Sequence, residues 1–199
     1  MKKKLLFCII TLLSIACLFT GCGLSAANAR LFADEPVITS LDDGTNRYEL
    51  SSAGFAFIYP ADYKLETQSV NATIVLYPPD QMEEKKASAA ISVVTHDGKM
   101  KIQEHLDQAV QKLKDNVSNL EITEQKILSA QKAIITLKAD YEGVNKTESY
   151  TFTLLENNRL AICGITAPTA EYTKYQKNLE LILNSVEPYA AVTTAAQTQ

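Results

Sequence analysis

The sequence is poor in the residues that many enzymes use. Among its 199 residues there are seven glycines, two histidines and no tryptophan. Glycine-rich phosphate loops are absent, and no serine lies in a Gly-x-Ser-x-Gly motif. Only His96 and His105 could act as an imidazole base for a nucleophile. The sequence therefore indicates no catalytic site, although a pair of carboxylates distant along the chain would leave no sequence pattern.

Basic residues are also scarce. Lysine and arginine total 19 against 23 acidic residues, for a net charge of −4. Three of the lysines are Lys2, Lys3 and Lys4, so the rest of the chain is more acidic still. Binding to nucleic-acid phosphates needs clustered basic side chains, and so does broad adhesion to anionic lipid. We therefore expect no nucleic-acid partner, and any membrane attachment must come from an anchor.

The one long apolar run lies at the N-terminus. Leu5 to Phe19 follows the three lysines, and Thr20 and Gly21 follow the run. A membrane-spanning helix needs about 20 apolar residues, which is more than this run offers. A basic start, an apolar stretch and a boundary of small residues together predict a secretory signal.

Residues 18–22 (Leu-Phe-Thr-Gly-Cys) resemble the lipobox of bacterial lipoproteins, with Phe19 where leucine is usual. Cys17 fits this pattern less well than Cys22 does. The resemblance implies cleavage before Cys22, a diacylglycerol thioether on its sulfur and a further acyl group, such as palmitate, on its new amino group. Two or three lipid tails give durable anchoring, on the extracytoplasmic side of the cell membrane or outer membrane. A simple secretory signal and an uncleaved helix are the alternatives.

Cysteine usage agrees with export. Cys8 and Cys17 would leave with the signal, and lipid would occupy Cys22, so that Cys163 is the one remaining thiol. No disulfide can then form within the exported polypeptide. Cys163 lies in an apolar strand-like run, and we expect a buried core cysteine rather than a reactive thiol.

The sequence divides into four parts. Residues 1–21 are the predicted signal peptide, and residues 22–45 the lipidated N-terminus and tether. Residues 46–189 are predicted to form an α+β domain. Residues 190–199 are low in complexity and predicted to be a disordered tail.

Within the domain, the period of the apolar residues changes along the sequence. Runs of β-branched and aromatic residues bounded by turn residues predict eight strands, at 47–50, 55–59, 72–77, 89–95, 120–128, 133–142, 147–155 and 160–166. Helical spacing predicts one helix after the fourth strand, with an apolar stripe of Ile102, Leu106, Ala109, Val110, Leu113 and Val117. A final helix has the stripe Tyr172, Tyr175, Leu179, Ile182, Leu183 and Val186.

Three details of this pattern are testable. Thr169 is the predicted N-cap of the last helix, and Pro188 is predicted to stop it. In the strand at 147–155, Ser149, Thr151 and Thr153 alternate with apolar residues and predict a solvated outer face. The order of elements, with adjacent hairpins, predicts an antiparallel sheet covered by helices.

Two short motifs resemble the PsbP-like superfamily, whose members carry a PsbP/DcrB-type domain. The first is residues 54–60 (Gly-Phe-Ala-Phe-Ile-Tyr-Pro) followed by Tyr63, and the second runs from Thr166-Ala167-Pro168 through Tyr172 to residues 182–188. The resemblance covers about residues 45–189. It implies an α/β/α sandwich that serves as a non-enzymatic scaffold for binding or assembly at a membrane surface. Family members often have tryptophan shortly after the proline, where this sequence has Tyr63.

The most site-like cluster joins a strand end to a helix start. His96, Asp97 and His105, with Glu104 and Asp107 nearby, offer the ligand types of a zinc site. The simpler interpretation is stronger, because Asp97 precedes a turn glycine and the other three fit a solvated helix face. We expect no bound cofactor or metal at these residues.

The sequence favours a lipid-anchored envelope protein that binds a protein partner without catalysing a reaction. A small-molecule or metal-binding lipoprotein is the alternative, through the histidine region or a pocket between sheet and helices. An uncharacterised enzyme is the third possibility.

Overall fold

A computed structural model describes residues 34–68, 73–81, 83–84, 86–96, 98–141 and 143–189. This part of the protein forms eleven strands and two α-helices. The strands are β1 (Val37–Ser40), β2 (Thr45–Leu50), β3 (Phe55–Pro60), β4 (Lys64–Gln68), β5 (Thr73–Tyr77), β6 (Ser88–Thr95), β7 (Glu121–Ser129), β8 (Lys132–Tyr141), β9 (Val144–Leu155), β10 (Arg159–Pro168) and β11 (Glu187–Pro188). The helices are α1 (Ile102–Asn116) and α2 (Tyr172–Ser185).

The strands form two antiparallel sheets. The small sheet has the order β1-β2-β3-β11, and the large sheet has the order β4-β5-β6-β10-β9-β8-β7. The central strand of the large sheet is β10. Its register against β6 runs from Ser88 opposite Thr166 to Thr95 opposite Arg159. The α+β class and the antiparallel sheet that the sequence predicts are confirmed.

Two apolar cores lie on opposite faces of the large sheet. In β10, Ala161, Cys163 and Ile165 face one core, which α2 and the small sheet complete. Leu160 and Ile162 face the other core, which α1 completes. Because both faces are covered, β10 is buried along almost its whole length, and its sequence is a nearly continuous apolar run without alternation.

All eight predicted strands overlap an observed strand, although residues 72 and 142 lie outside the described part. The β9–β10 hairpin is confirmed as well. Three residues, 156–158, join Leu155 to its partner Arg159. Among them, Asn157 and Asn158 adopt positive φ, 58° and 56°, a conformation that asparagine accepts more readily than most residues.

Both helices bury the predicted stripes, with two corrections. His105 was expected on a solvated face, but it is 3% exposed because it lies beside Leu106 on the buried side of α1. Thr169 is not the N-cap of α2. Strand pairing continues to Pro168, Thr169 lies in the turn, and the helix begins after Glu171, which caps it without a side-chain bond.

The predicted wet face of β9 is wrong. Ser149, Thr151 and Thr153 are all buried, because α2 and the small sheet cover the face on which they lie. The hydroxyl of Thr151 donates to the carbonyl of Leu183 in α2 at 3.1 Å. Short polar side chains alternate here for a different reason: they allow a helix backbone to approach the sheet.

Three observed strands were not predicted. β1 lies within the segment interpreted as a tether and pairs with β2, while β4 and β11 pair with β5 and β3. None of the three is an alternating apolar run, so neighbouring strands hold them in place. Neither α1 nor α2 has the length and hydropathy of a transmembrane segment.

Candidate functional site

His96 and His105 are close together, as the sequence suggests. Their ring centroids are 4.9 Å apart and the rings are perpendicular. The backbone N–H of Gly98 donates to His96 Nδ1 at 3.1 Å. The end of β6 and the first turn of α1 thus bring two imidazoles into edge-to-face contact.

The carboxylates proposed as their metal co-ligands have other roles. Glu104 Oε2 accepts from the backbone N–H of Lys101 at 2.7 Å and caps α1, and Asp107 Oδ1 accepts from the amide of Gln103 at 2.8 Å. Asp97 lies outside the described residues. No group of three or more histidine, cysteine, aspartate or glutamate side chains within the described ranges is arranged to hold a metal ion. The two imidazoles alone do not make a metal centre.

Cys163 is fully buried in β10. Burial raises the pKa of its thiol to about 12, although the positive charge of Lys132 acts in the opposite direction. A thiol this protonated and inaccessible is a poor nucleophile. This agrees with the expected core cysteine; Cys22, the predicted lipid acceptor, lies outside the described residues.

A buried carboxyl group lies on the α1 side of the large sheet. Glu148 of β9 has no exposed surface. Its Oε2 accepts from the hydroxyls of Tyr150 at 2.7 Å and Tyr141 at 3.0 Å, and its Oε1 accepts from Thr166 at 3.2 Å. Desolvation raises the pKa of Glu148 above its ordinary value, against the lowering effect of these donors and of the charge on Lys146. Three donors fix the carboxyl group in place and give it a structural role.

An open groove of about 370 Å³ lies where the end of α2 meets β8, β9 and the small sheet. We call it the Lys132 groove. Its lining includes Arg47, Ile58, Lys132, Thr153, Val186 and Glu187. The β7–β8 turn forms one rim, and the last residues of α2 and β11 form another.

Lys132 and Thr153, from adjacent strands, both line the Lys132 groove. Lys132 Nζ donates to the carbonyls of Asn184 at 2.7 Å and Val186 at 3.1 Å, at the C-terminal end of α2. Desolvation lowers the pKa of this half-buried ammonium group. Thr153 lies directly opposite Lys132 in the β8–β9 register. Its hydroxyl is buried and has no hydrogen-bond partner among the described residues.

Acidic side chains pair with the arginine at the rim. Arg47 Nε is 2.8 Å from Glu49 Oε1, and its Nη2 is 2.8 Å from Glu187 Oε1. These hydrogen bonds raise the pKa of Arg47 further. With one arginine and two glutamates, the rim carries a net negative charge, which Lys132 offsets from deeper in the groove. Lys132 itself has no carboxylate within 4.0 Å among the described residues.

Sequence reasoning missed this groove. From the sequence, Lys132 is a polar residue at the start of a strand, and the alternation along β9 predicts that the Thr153 hydroxyl is solvated. Their proximity depends on the register of β8 against β9 and on where α2 ends. Neither leaves a motif in the sequence.

Solved structures with similar folds are known. The solution structure of cyanobacterial PsbP from Synechocystis sp. PCC 6803 has a TM-score of 0.54 at 11% identity, over 73% of this chain and 93% of that chain. The crystal structure of the Saccharomyces cerevisiae Ran-binding protein Mog1p has a TM-score of 0.50 at 10% identity, over 78% of this chain and 96% of that chain.

No protein-family model matches the sequence, and a search of curated proteins finds no match either. Identities near 10% show the fold alone and carry no function with them. The domain has the PsbP-like fold that the motifs at residues 54–60 and 166–188 imply.

Proposed function

We propose that this protein is an envelope lipoprotein, lipid-anchored at Cys22 on the extracytoplasmic side of a bacterial cell membrane or outer membrane. Its PsbP-like domain acts as a non-enzymatic binding or assembly module for a protein partner. The observation that carries this proposal is the combination of a lipobox-like segment at residues 18–22 with a PsbP-like fold whose first described strand begins at Val37.

The chemistry of the described residues supports a binding role. A nucleophile needs a base and an orienting group within hydrogen-bond reach. Cys163 is buried and its thiol has a raised pKa. His96 and His105 contact each other, and the nearby carboxylates of Glu104 and Asp107 bond elsewhere.

The length of the tether sets where the partner must be. Fifteen residue steps separate Cys22 from Val37. At 3.3–3.6 Å per residue, an extended segment of this length spans roughly 50 Å at most. A partner of a domain anchored at Cys22 must therefore come within this tether length, plus the size of the domain, of the membrane surface.

Lipidation is tested with the full-length protein expressed in a bacterium. The wild type is expected in the membrane fraction, with an N-terminal peptide that begins at Cys22 and carries the mass of diacylglycerol. Cys22→Ser should lose both properties, while Cys17→Ser, the matched control, should keep them. An intact leader, or a mature N-terminus elsewhere without lipid, would contradict the anchor.

The binding role is tested by crosslinking in intact cells. A partner should be recovered with the wild type above the level found with the untethered Cys22→Ser variant. Recovery of no protein above that level would count against a partner module while leaving the anchor intact.

A small-molecule-binding lipoprotein is the second candidate, and the Lys132 groove is the observation that favours it. The metal-binding form of this candidate has no support from the described residues, where His96 and His105 lack a carboxylate co-ligand. Elemental analysis of the purified protein tests it, and stoichiometric metal that resists a chelator would restore it.

A further inference from the structure

We infer that the Lys132 groove binds a carboxylate group, with one carboxylate oxygen between the ammonium of Lys132 and the hydroxyl of Thr153. This inference rests on the proposed binding role and gives it a site and a ligand class. The carboxylate belongs either to a small free organic acid or to the C-terminus of a peptide.

The first support is that Lys132 has no carboxylate within ion-pair distance among the described residues, and the charge of Glu187 acts on it only from farther away. Charged groups removed from water are normally paired with an opposite charge. Lys132 is half-buried, yet its hydrogen bonds go to two backbone carbonyls, of Asn184 and Val186. An ammonium group has three N–H donors. One donor therefore remains for an acceptor in the groove, and an anionic acceptor would also neutralise the charge.

The second support is independent and comes from Thr153. Its side chain is 3% exposed, and its hydroxyl has no hydrogen-bond partner among the described residues. Leaving a buried hydroxyl unpaired costs about 1–3 kcal/mol. Valine would fill the same space without this cost. A threonine that lines a groove with an unpaired hydroxyl therefore points to a ligand that completes the bond.

The two donors converge because of the sheet. Residues directly opposite in an antiparallel pair have Cβ atoms about 4.5–5.5 Å apart and point to the same face. Lys132 and Thr153 are such a pair. In the proposed complex one ligand oxygen lies between the two side chains and accepts from both, and the Thr153 hydroxyl, which is closed to solvent in this structure, turns toward it. The second carboxylate oxygen then faces the open side of the groove.

The shape of the groove limits the rest of the ligand. Its volume, about 370 Å³, is at the small end of the range for ligand sites. Ile58, Val186 and Pro188 supply apolar surface. The rim, where Arg47 pairs with two carboxylates, carries a net negative charge and disfavours a second anionic group on the ligand. A carboxylate on a short apolar body fits this lining.

The experiment titrates the full-length protein, kept in detergent, with three probes by calorimetry. The probes are isovalerate, an N-acetylated dipeptide that ends in valine with a free carboxylate, and the same dipeptide with an amidated C-terminus. Either free carboxylate should bind, and the amide should bind roughly tenfold more weakly or not at all, because a charge-assisted bond is lost. Binding of isovalerate identifies a small acid as sufficient, and binding of the free peptide alone identifies a peptide C-terminus as the ligand.

Two variants separate the site from the fold. Thr153→Val should weaken binding of the free carboxylate roughly tenfold while leaving stability equal or higher. Thr151→Val, on the same strand and face, should lower stability, because the hydroxyl bonds the carbonyl of Leu183, but should leave the affinity unchanged. Equal affinity for the free and amidated peptides, no binding of any probe, or full affinity in Thr153→Val would overturn the inference. None of these outcomes bears on lipidation at Cys22.

Discussion

The buried carboxyl group of Glu148 predicts that this domain loses stability as the pH rises. Full burial is the largest influence on this group and raises its pKa above the ordinary value of 4.5. The folded state therefore holds a proton on Glu148 at pH values where the unfolded state has released it. Below the unfolded pKa both states are protonated, and the stabilisation of the neutral acid is fully present.

The magnitude follows from proton linkage. Between the unfolded and folded pKa values, the folded state binds up to one proton more than the unfolded state. The free energy of unfolding then falls by up to about 1.4 kcal/mol for each pH unit. This fall begins near pH 4.5 and ends once the pH passes the raised, folded-state pKa.

The variant Glu148→Gln isolates this effect. Its amide oxygen can accept from Tyr150 and Tyr141, and its NH₂ group can donate to Thr166, so it reproduces the neutral acid without a proton to lose. Urea unfolding followed by circular dichroism at several pH values from 4.5 to 8 gives the free energy for each protein. The difference, variant minus wild type, should grow with pH in favour of the variant. Glu156→Gln, exposed in the β9–β10 turn, is the control and should give a difference that does not change with pH.

One result would refute this reasoning. If the difference for Glu148→Gln stays flat or falls with pH, then Glu148 is ionised in the folded state. The hydroxyl donors and the charge of Lys146 would then outweigh the cost of desolvation.

Three further predictions concern other parts of the structure. Leu179→Ala should lower the free energy of unfolding by about 2–5 kcal/mol, because Leu179 is fully buried on the inner face of α2. The control Leu181→Ala, at a residue of the same helix that is 36% exposed, should change this free energy by about 0.5 kcal/mol or less. Equal losses in the two variants would contradict the assigned faces. Cys163 should react with maleimide only when denaturant unfolds the protein, measured by mass spectrometry on its own peptide; rapid labelling of the native protein would contradict its burial. Lys132→Met should lower the free energy of unfolding by about 1–2 kcal/mol, because two hydrogen bonds to carbonyls at the end of α2 are lost. Lys138→Met, on the same strand, is the control. An unchanged free energy in Lys132→Met would show that Lys132 does not cap α2.

The fold was predictable where local patterns and tertiary structure agree. Alternation along β8 and the stripes of α1 and α2 reflect one buried face each, which a sequence records directly. The same logic fails for β9, because its second face is covered by α2, an element that lies later in the sequence. Alternation of threonine with apolar residues does not distinguish water from a helix backbone as the neighbour.

The candidate sites divide in the same way. His96 and His105 were expected near each other because the end of β6 and the start of α1 are close in sequence. The burial of His105 could not be foreseen from its polar neighbours in α1. Lys132, Thr153 and the end of α2 meet only through strand register and helix length, so no spacing along the sequence points to the groove.

The pairing of β6 with the central strand β10 has a consequence for biosynthesis. β6 pairs with β10 rather than with the strand that follows it, and β11 at residues 187–188 closes the small sheet against β3. Contacts between segments so far apart form slowly, since the intervening residues must first be closed into a loop. A ribosome must therefore release nearly the entire polypeptide before either sheet can be completed. Until then, the polypeptide can form its local hairpins but lacks the strands that complete either sheet.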